Sequence, residues 1–491
     1  MQVLKSVREF VNHEHMNLIG GDWALGRSGA ILAVENPATS EVLTEVPQSS
    51  EADVNDAVAA ARAALREWRV LPASERASLL WRLGELISEH ASELAQLDVL
   101  DNGKTFGDAM AVDIPLTAEI FRYYAGWVSK IEGRQLPVSL PDFHTYSRRE
   151  PMGVVAAIIP WNFPLLMCAY KLGPALAAGN TVVLKPAEQT PLSALRLGEL
   201  IVEAGFPAGV VNIVTGDGPQ TGAPLAAHED VDKVSFTGDF QTGRNIVDAS
   251  RGNLKRVTLE LGGKSPNIVF ADADIDAATD GSFGAAFFNQ GQCCIGGARL
   301  LVHSSIADEL SSRLVERARS VRLGNGLVEG TEMGPLVSDT QLQRVLTHLE
   351  VARDEGAELL VGGERGEGEL SKGHFMQPTV LRGADLGSQI MQDEVFGPVL
   401  AVATFDSEDE VVEMANDVRF GLAAGIWTRD VGRAHRVANS LQAGTVWVNT
   451  YGMFDVAASY GGFKMSGYGR ELGEEALDAY LQTKTVWVNL A

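Results

Sequence analysis

Two adjacent cysteines, Cys293 and Cys294, lie in the glycine-rich stretch FFNQGQCCIGGAR at positions 287–299. A thiolate is a strong nucleophile, and glycines let the backbone turn tightly so that peptide N–H groups can face an oxyanion. The stretch is therefore suited to covalent catalysis. The alternative is that both cysteines are small buried hydrophobic residues, because free Cys is usually buried and inert. This stretch alone favours neither interpretation.

Two further polar residues follow apolar runs that are typical of buried strands. Asn162 lies in PWNFP, and its amide could donate to an oxygen that gains charge during a reaction. Glu260 lies in LELGGKSP and could act as a general base if burial raises its pKa. Taken singly, a turn Asn and a solvated or capping Glu are the commoner situations.

Other stretches could hold a dinucleotide. In KPAEQTP, Glu188 could accept hydrogen bonds from ribose hydroxyls while Lys185 holds a hydroxyl or phosphate, although a surface ion pair explains the two equally well. FTGDFQTG places Gly238 and Gly243 where a phosphate loop could open a helix, but it lacks the usual GxGxxG spacing. EVFGPV, at 394–399, is by itself an ordinary entry to a strand.

The elements that must position these residues alternate between strand and helix from residue 151 onward. Short loops between alternating strands and helices predict a parallel sheet with helices on both faces, which binds ligands at the carboxyl ends of its strands. The second half of the chain, from 267, repeats the pattern. Before residue 130 the apolar spacing predicts helices, including a single long one over 74–100. The predicted strands of the first half are 153–159, 181–186, 210–214, 233–236 and 256–260.

The bulk composition excludes several classes of protein. A net charge of −24 argues against nucleic acid or an anionic membrane as partner, since both require basic patches. Three cysteines in 491 residues cannot form a disulfide framework, and none has zinc-site spacing, so we expect no metal. No apolar run approaches the roughly 20 residues of a membrane helix, and the N-terminal stretch lacks a signal core. We therefore expect a cytoplasmic protein.

Together, PWNFP, KPAEQTP, FTG, LELGGKSP, FFNQGQCC, EVFGPV and GGFKMSGYGRE resemble the aldehyde dehydrogenase superfamily, in the family's order and over nearly the whole chain. The resemblance is strongest to the broad-specificity, NAD-dependent class. It implies an α/β fold with two doubly wound parallel-sheet domains, a β-strand arm, and a homo-oligomer, either dimer or tetramer. The implied division is an NAD-binding domain at 1–129 and 150–260, a catalytic domain at 261–470, and an oligomerisation arm at 130–149 and 471–491.

The resemblance implies roles for three residues. Cys294 matches the nucleophile that attacks the aldehyde carbonyl to form a thiohemiacetal, with Cys293 as its neighbour on the tunnel wall. The Asn162 side chain and the Cys294 backbone N–H would hold the oxyanion, and hydride transfer to NAD would leave a thioester. Glu260 matches the general base that activates the hydrolytic water. The sequence offers no reason for a lowered thiol pKa, which the thiolate requires.

The resemblance also implies a cofactor site. Lys185 and Glu188 match residues at the adenine ribose, and Glu188 would repel a 2′-phosphate, which favours NAD over NADP. One departure is Asp239, where the family often has Ser; we expect Asp239 to cap the following helix rather than face the pyrophosphate. Glu394 and Phe396 match the nicotinamide ribose and ring, and the other matching residues are Ile159, Trp161, Gly218, Gly238 and Leu261.

The implied substrate tunnel is apolar and aromatic, with no obvious arginine for a carboxylated semialdehyde. It predicts an aliphatic or aryl aldehyde, such as an arylacetaldehyde, as substrate. The lining residues are Leu116, Phe163, Tyr170, Cys293, Ile295, Phe454 and Tyr460.

Three alternative functions compete with this prediction. A relative that passes the acyl group to coenzyme A would generally lack the Glu at position 260. An NADP-dependent semialdehyde dehydrogenase is disfavoured by Glu188 and by the tunnel. A non-catalytic scaffold protein, like the lens crystallins of this family, would lose Cys294, Glu260 or Asn162.

Overall fold

A computed structural model of the chain describes residues 1–491. Its first large sheet has eight strands, of which the five central ones are parallel. The central strands are rich in Val, Ile and Ala and are almost wholly buried, as strands covered by helices on both faces must be. In spatial order the strands are Asp22–Ala24, Asn17–Ile19, Val211–Ile213, Thr181–Lys185, Val154–Ile158, Lys233–Thr237, Arg256–Glu260 and Gly467–Tyr468.

The second large sheet has seven strands, six of them parallel. Its spatial order is Glu358–Val361, Thr379–Arg382, Val399–Phe405, Arg299–His303, Pro266–Val269, Ala423–Trp427 and Thr445–Val448. Two parallel sheets in one α/β chain confirm the predicted fold class. The first sheet also takes the strand Gly467–Tyr468, which lies inside the predicted catalytic range, and the division into domains stays a prediction.

Three smaller sheets complete the β structure. Two of them are strand pairs, Ile31–Asn36 with Glu41–Pro47 and Phe420–Gly421 with Phe463–Lys464. The third joins both parts of the predicted arm, because the last strand, Leu481–Asn489, pairs antiparallel with Phe143–Pro151, beside Gln135–Leu136. The terminal strand therefore has a partner within its own chain along one edge, and pairing across subunits stays a prediction.

Helices cover both large sheets. In the first half they are Lys5–Val11, Glu51–Trp68, Ala73–Glu89, Ala91–Asn102, Phe106–Asp108, Ile114–Trp127, Pro164–Ala177, Leu192–Glu203, Ala223–Ala227 and Phe240–Ala249. In the second half they are Ile275–Phe287, Ala307–Ser320, Asp339–Asp354, Gln389–Gln392, Glu408–Asn416, Val431–Ser440 and Glu475–Asp478. No helix is both long and apolar enough to cross a membrane.

The prediction of one helix over 74–100 is wrong at a single residue. His90 leaves the helical conformation (φ −99°, ψ 17°) and ends Ala73–Glu89. Its ring Nδ1 lies 2.7 Å from a carboxylate oxygen of Glu93, in the first turn of Ala91–Asn102. The break divides the predicted helix into two, although the apolar spacing continues through it.

The helix Pro164–Ala177 positions much of the site. Every residue in it except Met167 is buried, and it packs against Ile114–Trp127 on one side. Gly173 allows this approach, because a Cβ there would lie 2.8 Å from the ring of Tyr124. The helix follows PWNFP directly, so its packing holds that loop at the sheet edge.

The turn before the two cysteines requires glycine. Asn289, Gln290 and Gly291 all have positive φ, and a Cβ on Gly291 would lie 2.2 Å from the carbonyl oxygen of Gly397. The cysteine loop thus packs backbone to backbone against EVFGPV. A side chain at position 291 would separate the two segments.

We expect Gly291→Ala to lower the free energy of unfolding by about 2 kcal/mol or more, because it adds steric overlap to a left-handed conformation. Gly284→Ala, in the helix that precedes the loop, is the matched control, since a Cβ there meets nothing within 4 Å. Urea unfolding followed by intrinsic fluorescence measures both. Equal midpoints for the two variants would contradict this account of the turn.

Candidate functional site

The loops at the carboxyl ends of the first sheet border one cavity of about 560 Å³. Asn162 follows Val154–Ile158, Glu260 ends Arg256–Glu260, and the two cysteines approach from the second half of the chain. The structure brings together all the residues predicted for the site, since each of them lines this cavity. They are Cys294, Glu260, Asn162, Ile159, Trp161, Lys185, Glu188, Gly218, Gly238, Leu261, Glu394, Phe396, Leu116, Phe163, Tyr170, Cys293, Ile295, Phe454 and Tyr460.

Asn162 is held in place by bonds to the cysteine loop. One N–H of its side-chain amide donates to the carbonyl of Gln292, at 3.0 Å. Its backbone carbonyl accepts from the side-chain amide of Asn289, at 2.9 Å. Because an amide carries two N–H donors, one remains for a further acceptor. The buried Asn162 is therefore tied to the backbone just before Cys293 and is not an ordinary turn residue.

Cys294 has an environment that stabilises its thiolate. The thiol of Cys293 and, less strongly, the hydroxyl of Tyr460 act as hydrogen-bond donors that lower the pKa of Cys294 to about 7, against burial, which raises it. The Cys294 Sγ lies 3.1 Å from the Tyr460 hydroxyl oxygen. The hydrogen bond from Cys293 to Cys294, together with burial, raises the pKa of Cys293 well above its usual value. At neutral pH the negative charge therefore belongs on Cys294.

Glu260 is a buried carboxyl group without a hydrogen-bond partner on either oxygen. Burial raises the pKa of Glu260 well above its ordinary value, and the nearby carboxylate of Glu471 raises it further. A buried carboxyl without partners is costly unless a water or ligand binds it, so this group is free to act on a molecule in the cavity. The structure excludes the solvated and capping alternatives for Glu260.

Lys185 and Glu188 form an ion pair, with 3.3 Å between the ammonium nitrogen and a carboxylate oxygen. Only the Glu188 end of the pair reaches the surface: its side chain is 36% exposed, whereas that of Lys185 is 4% exposed. Burial lowers the pKa of Lys185. The pair places a buried donor and a more accessible acceptor together at the cavity wall.

Glu394 and Phe396 also line this cavity. Burial raises the pKa of Glu394 to about 8, and one of its carboxyl oxygens accepts from the N–H of Gly263 at 3.1 Å. Phe396 has a positive φ of 57°, held because its carbonyl accepts from Gln341, and its ring meets Trp161 edge to face at 5.2 Å. A strained aromatic residue fixed at a cavity wall is typical of a ligand site.

Asp239 caps the helix Phe240–Ala249, as predicted. One carboxylate oxygen accepts from the N–H groups of Gln241 and Thr242, at 2.9 and 3.0 Å, and the other accepts from the Thr242 hydroxyl. These bonds hold the carboxylate of Asp239 against the first turn of the helix.

The sequence prediction missed several wall residues. Glu471 forms a buried ion pair with Lys171, with the nitrogen and oxygen 2.5 Å apart. Gln341 and Arg344 come from the helix Asp339–Asp354, whose only sequence signal is its helical spacing. Glu471 is the last residue of the GGFKMSGYGRE motif, and that position was the available clue. The other missed residues include Val112, Leu166, Met167, Phe288 and Tyr451.

The cavity fits a dinucleotide. Gly218 has open space where a side chain would stand, which leaves room for a ligand to approach the backbone there. A Cβ on Gly262 would lie 1.8 Å from the carboxyl group of Glu394, so only glycine lets that acid lie against the backbone. Lys185 and Glu188 place a hydrogen-bond donor and an acceptor side by side at the same cavity wall. No group of three or more His, Cys, Asp or Glu residues is arranged to hold a metal ion.

Comparison with known proteins agrees with this geometry. The sequence profile of the Aldehyde dehydrogenase family matches residues 23–486. The putative aldehyde dehydrogenase DhaS of Bacillus subtilis is 48% identical over 100% of this chain and 99% of its own. Human mitochondrial aldehyde dehydrogenase is 49% identical over 96% of this chain and 91% of its own.

Among solved structures, the NAD+ complex of an aldehyde dehydrogenase from Bacillus cereus superposes with a TM-score of 0.98 at 48% identity, covering 100% of both chains. The resemblance that the motifs predicted is confirmed, and the chain belongs to the aldehyde dehydrogenase family.

Proposed function

We propose that this protein oxidises an aliphatic or aryl aldehyde to its carboxylic acid with NAD, through a covalent intermediate on Cys294. The observation that carries the proposal is the convergence of Cys294, Asn162 and Glu260, from three separate loops, in one cavity. A nucleophile, an oxyanion donor and a base are the groups that acyl chemistry requires.

The first step is attack by the Cys294 thiolate on the aldehyde carbon. A bond forms between Sγ and carbon, and the carbonyl π electrons move to oxygen, which gives a thiohemiacetal oxyanion. The free N–H of the Asn162 amide and the backbone N–H of Cys294 are the donors proposed to hold this oxygen. The bond from Asn162 to Gln292 fixes the amide before the charge develops, which avoids reorganisation during the reaction.

NAD, when bound, would accept the hydride that leaves the substrate carbon, while the electrons on the oxyanion re-form the C=O bond and leave a thioester on Cys294. Lys185 and Glu188 are the proposed contacts to the adenine ribose, and the carboxylate of Glu188 disfavours the 2′-phosphate of NADP. Ile159, Trp161, Gly218, Gly238 and Leu261 would line the remainder of the cleft, with Glu394 and Phe396 at the nicotinamide end. The solved NAD+ complex of the Bacillus cereus relative agrees with this choice of cofactor.

Glu260 then removes a proton from a water molecule that attacks the thioester. Its two oxygens have no protein partner, and its raised pKa makes the carboxylate a stronger base than an exposed Glu. The carboxylic acid is released when the carbon–sulfur bond breaks and the thiolate reforms. A base at this position favours transfer to water over transfer to coenzyme A.

The proposed substrate class follows from the charge and shape of the tunnel. Leu116, Phe163, Tyr170, Ile295 and Phe454 supply apolar and aromatic surface. None of these tunnel residues carries a positive charge, and the nearby Lys171 is paired with Glu471, so a carboxylated substrate would find no free cationic partner there. Arg344 also lines the cavity, but it lies on the helix whose Gln341 holds the carbonyl of Phe396, which places it on the cofactor side.

Substitution of each cysteine tests the nucleophile. We expect Cys294→Ala to abolish aldehyde oxidation, because the remaining thiol, Cys293, has a raised pKa and stays protonated. Cys293→Ala should retain at least about a tenth of kcat/KM at pH 8, since it removes only one hydrogen bond to the thiolate. NADH formation followed at 340 nm measures both variants. Equal loss of activity in the two would show that the nucleophile is wrongly assigned.

Glu260→Gln tests the base. Thioester hydrolysis should slow about a hundredfold or more, while the first-turnover burst of NADH remains. Stopped-flow absorbance separates the burst from the later steady rate. In the unsubstituted enzyme the raised pKa keeps Glu260 protonated up to a higher pH than an ordinary Glu. The hydrolysis rate should therefore rise with pH through that pKa. The variant should lack this rise; a parallel rise in the variant would remove Glu260 as the base.

A panel of aldehydes tests the substrate class. We expect phenylacetaldehyde and medium-chain aliphatic aldehydes to exceed succinic semialdehyde in kcat/KM by about tenfold or more, because the tunnel offers no free cationic partner for its carboxylate. Phe454→Ala is the matched variant, and it should raise KM for phenylacetaldehyde more than for acetaldehyde. If succinic semialdehyde is the best substrate of the panel, the proposed class is wrong.

A further inference from the structure

The hydroxyl of Tyr460 lies 3.1 Å from the thiol sulfur of Cys294, and this is its one hydrogen bond to the protein. The residue is 7% exposed, and its backbone forms two bonds of 2.7 Å with Glu471, one in each direction. Its ring meets the rings of Tyr170 and Phe454 edge to face, at 6.3 and 5.6 Å between centroids. Tyr460 is therefore fixed on both backbone and ring, with its hydroxyl directed at sulfur.

We propose that Tyr460 is a catalytic residue, whose hydroxyl donates a hydrogen bond to the Cys294 thiolate and aims its sulfur before attack. This role extends the position of Tyr460 in the tunnel wall, and it rests on the proposed function of Cys294 as nucleophile. Phenylalanine at this position would preserve the aromatic surface of the tunnel but could not form the hydrogen bond to Cys294.

The direction of the hydrogen bond follows from the chemistry of the two groups. A thiolate has no proton and can only accept, so the phenol must be the donor once Cys294 ionises. Burial, with the negative charges of Cys294 and Glu260 nearby, raises the pKa of Tyr460 well above its usual value, so the phenol keeps its proton. A bond to a charged acceptor is stronger than one between neutral groups.

Other titratable groups also face this pair and must be separated from Tyr460 in any test. Cys293 is the rival donor, since its thiol also lowers the pKa of Cys294. The remaining groups around Cys294 and Tyr460 are Tyr170 and Lys171 from the helix Pro164–Ala177, Glu260 from the first sheet, and Glu394, Tyr451 and Glu471 from the second half of the chain.

The hydrogen bond from Tyr460 stabilises the Cys294 thiolate before attack and is lost as the sulfur bonds to the substrate carbon. When Sγ bonds to the carbonyl carbon, its charge passes to the carbonyl oxygen, and the resulting thioether-like sulfur is a weak acceptor. The phenol keeps its proton throughout, so no proton has to be moved. The same hydroxyl is available again when the thioester breaks and the thiolate reforms.

Alkylation of the cofactor-free full-length chain by iodoacetamide tests this proposal, because the rate follows the thiolate fraction. Mass spectrometry of the peptide assigns the label to Cys294. We expect Tyr460→Phe to move the midpoint of the pH–rate profile upward by about one pH unit, so alkylation at pH 7 slows by up to about tenfold. Above the midpoint the variant should react as fast as the unsubstituted chain or up to about threefold faster, since thiolate nucleophilicity rises with pKa.

Tyr170→Phe is the control, because it removes a hydroxyl from the same wall that is not bonded to Cys294; its alkylation midpoint should not move. Thermal melts confirm that the two variants are folded. A midpoint for Tyr460→Phe that matches the unsubstituted chain would overturn the proposal and leave Cys293 as the donor that matters. Alkylation requires no turnover, so this outcome is distinct from failure of the nucleophile assignment, which the Cys294→Ala variant reports separately.

Discussion

The site depends on the hydrogen bonds that tie PWNFP to the cysteine loop. Asn162 donates to the carbonyl of Gln292 and accepts from the side chain of Asn289, and both contacts are buried. PWNFP follows a strand of the first parallel sheet, and the cysteine loop leads into a strand of the second sheet. These bonds fix the Asn162 amide relative to the loop that carries Cys294.

Burial then sets the acid–base properties of that space. It raises the pKa of Glu260, while the donors Cys293 and Tyr460 outweigh it at Cys294 and lower the thiol pKa to about 7. The pKa of Glu260 is thus raised and that of Cys294 lowered within one cavity. The shifts suit a thiolate that attacks first and a carboxylate that activates water later. By keeping solvent away, the cavity's apolar wall maintains the raised pKa of Glu260, whereas at Cys294 it opposes the lowering that the two donors produce.

Sequence reasoning succeeded where local signals were strong. Runs such as GVVAAII and TVVLKP predicted buried parallel strands, and their ends brought Asn162, Lys185 and Glu260 to one edge, as the rule for parallel sheets requires. The capping role of Asp239 also followed from local chemistry. The break at His90 was missed, because the apolar pattern continues through it and only the backbone conformation of one residue changes.

Contacts between distant residues could not be predicted in this way. The pair of Lys171 with Glu471 spans 300 residues, and the bond between Cys294 and Tyr460 spans 166. A tyrosine in an aromatic wall gives no sign in the sequence of where its hydroxyl points. The source of the lowered thiol pKa therefore emerged only from the fold, although Cys294 itself was identified from its motif.

The most direct test of the central claim is to trap the covalent intermediate. Glu260→Gln is mixed with NAD and phenylacetaldehyde, quenched with acid, and analysed by mass spectrometry of the intact chain and of the peptide that contains both cysteines. The account predicts one phenylacetyl group on Cys294, formed only when NAD is present. An acyl group on Cys293, or an unmodified chain after NADH has formed, would contradict it.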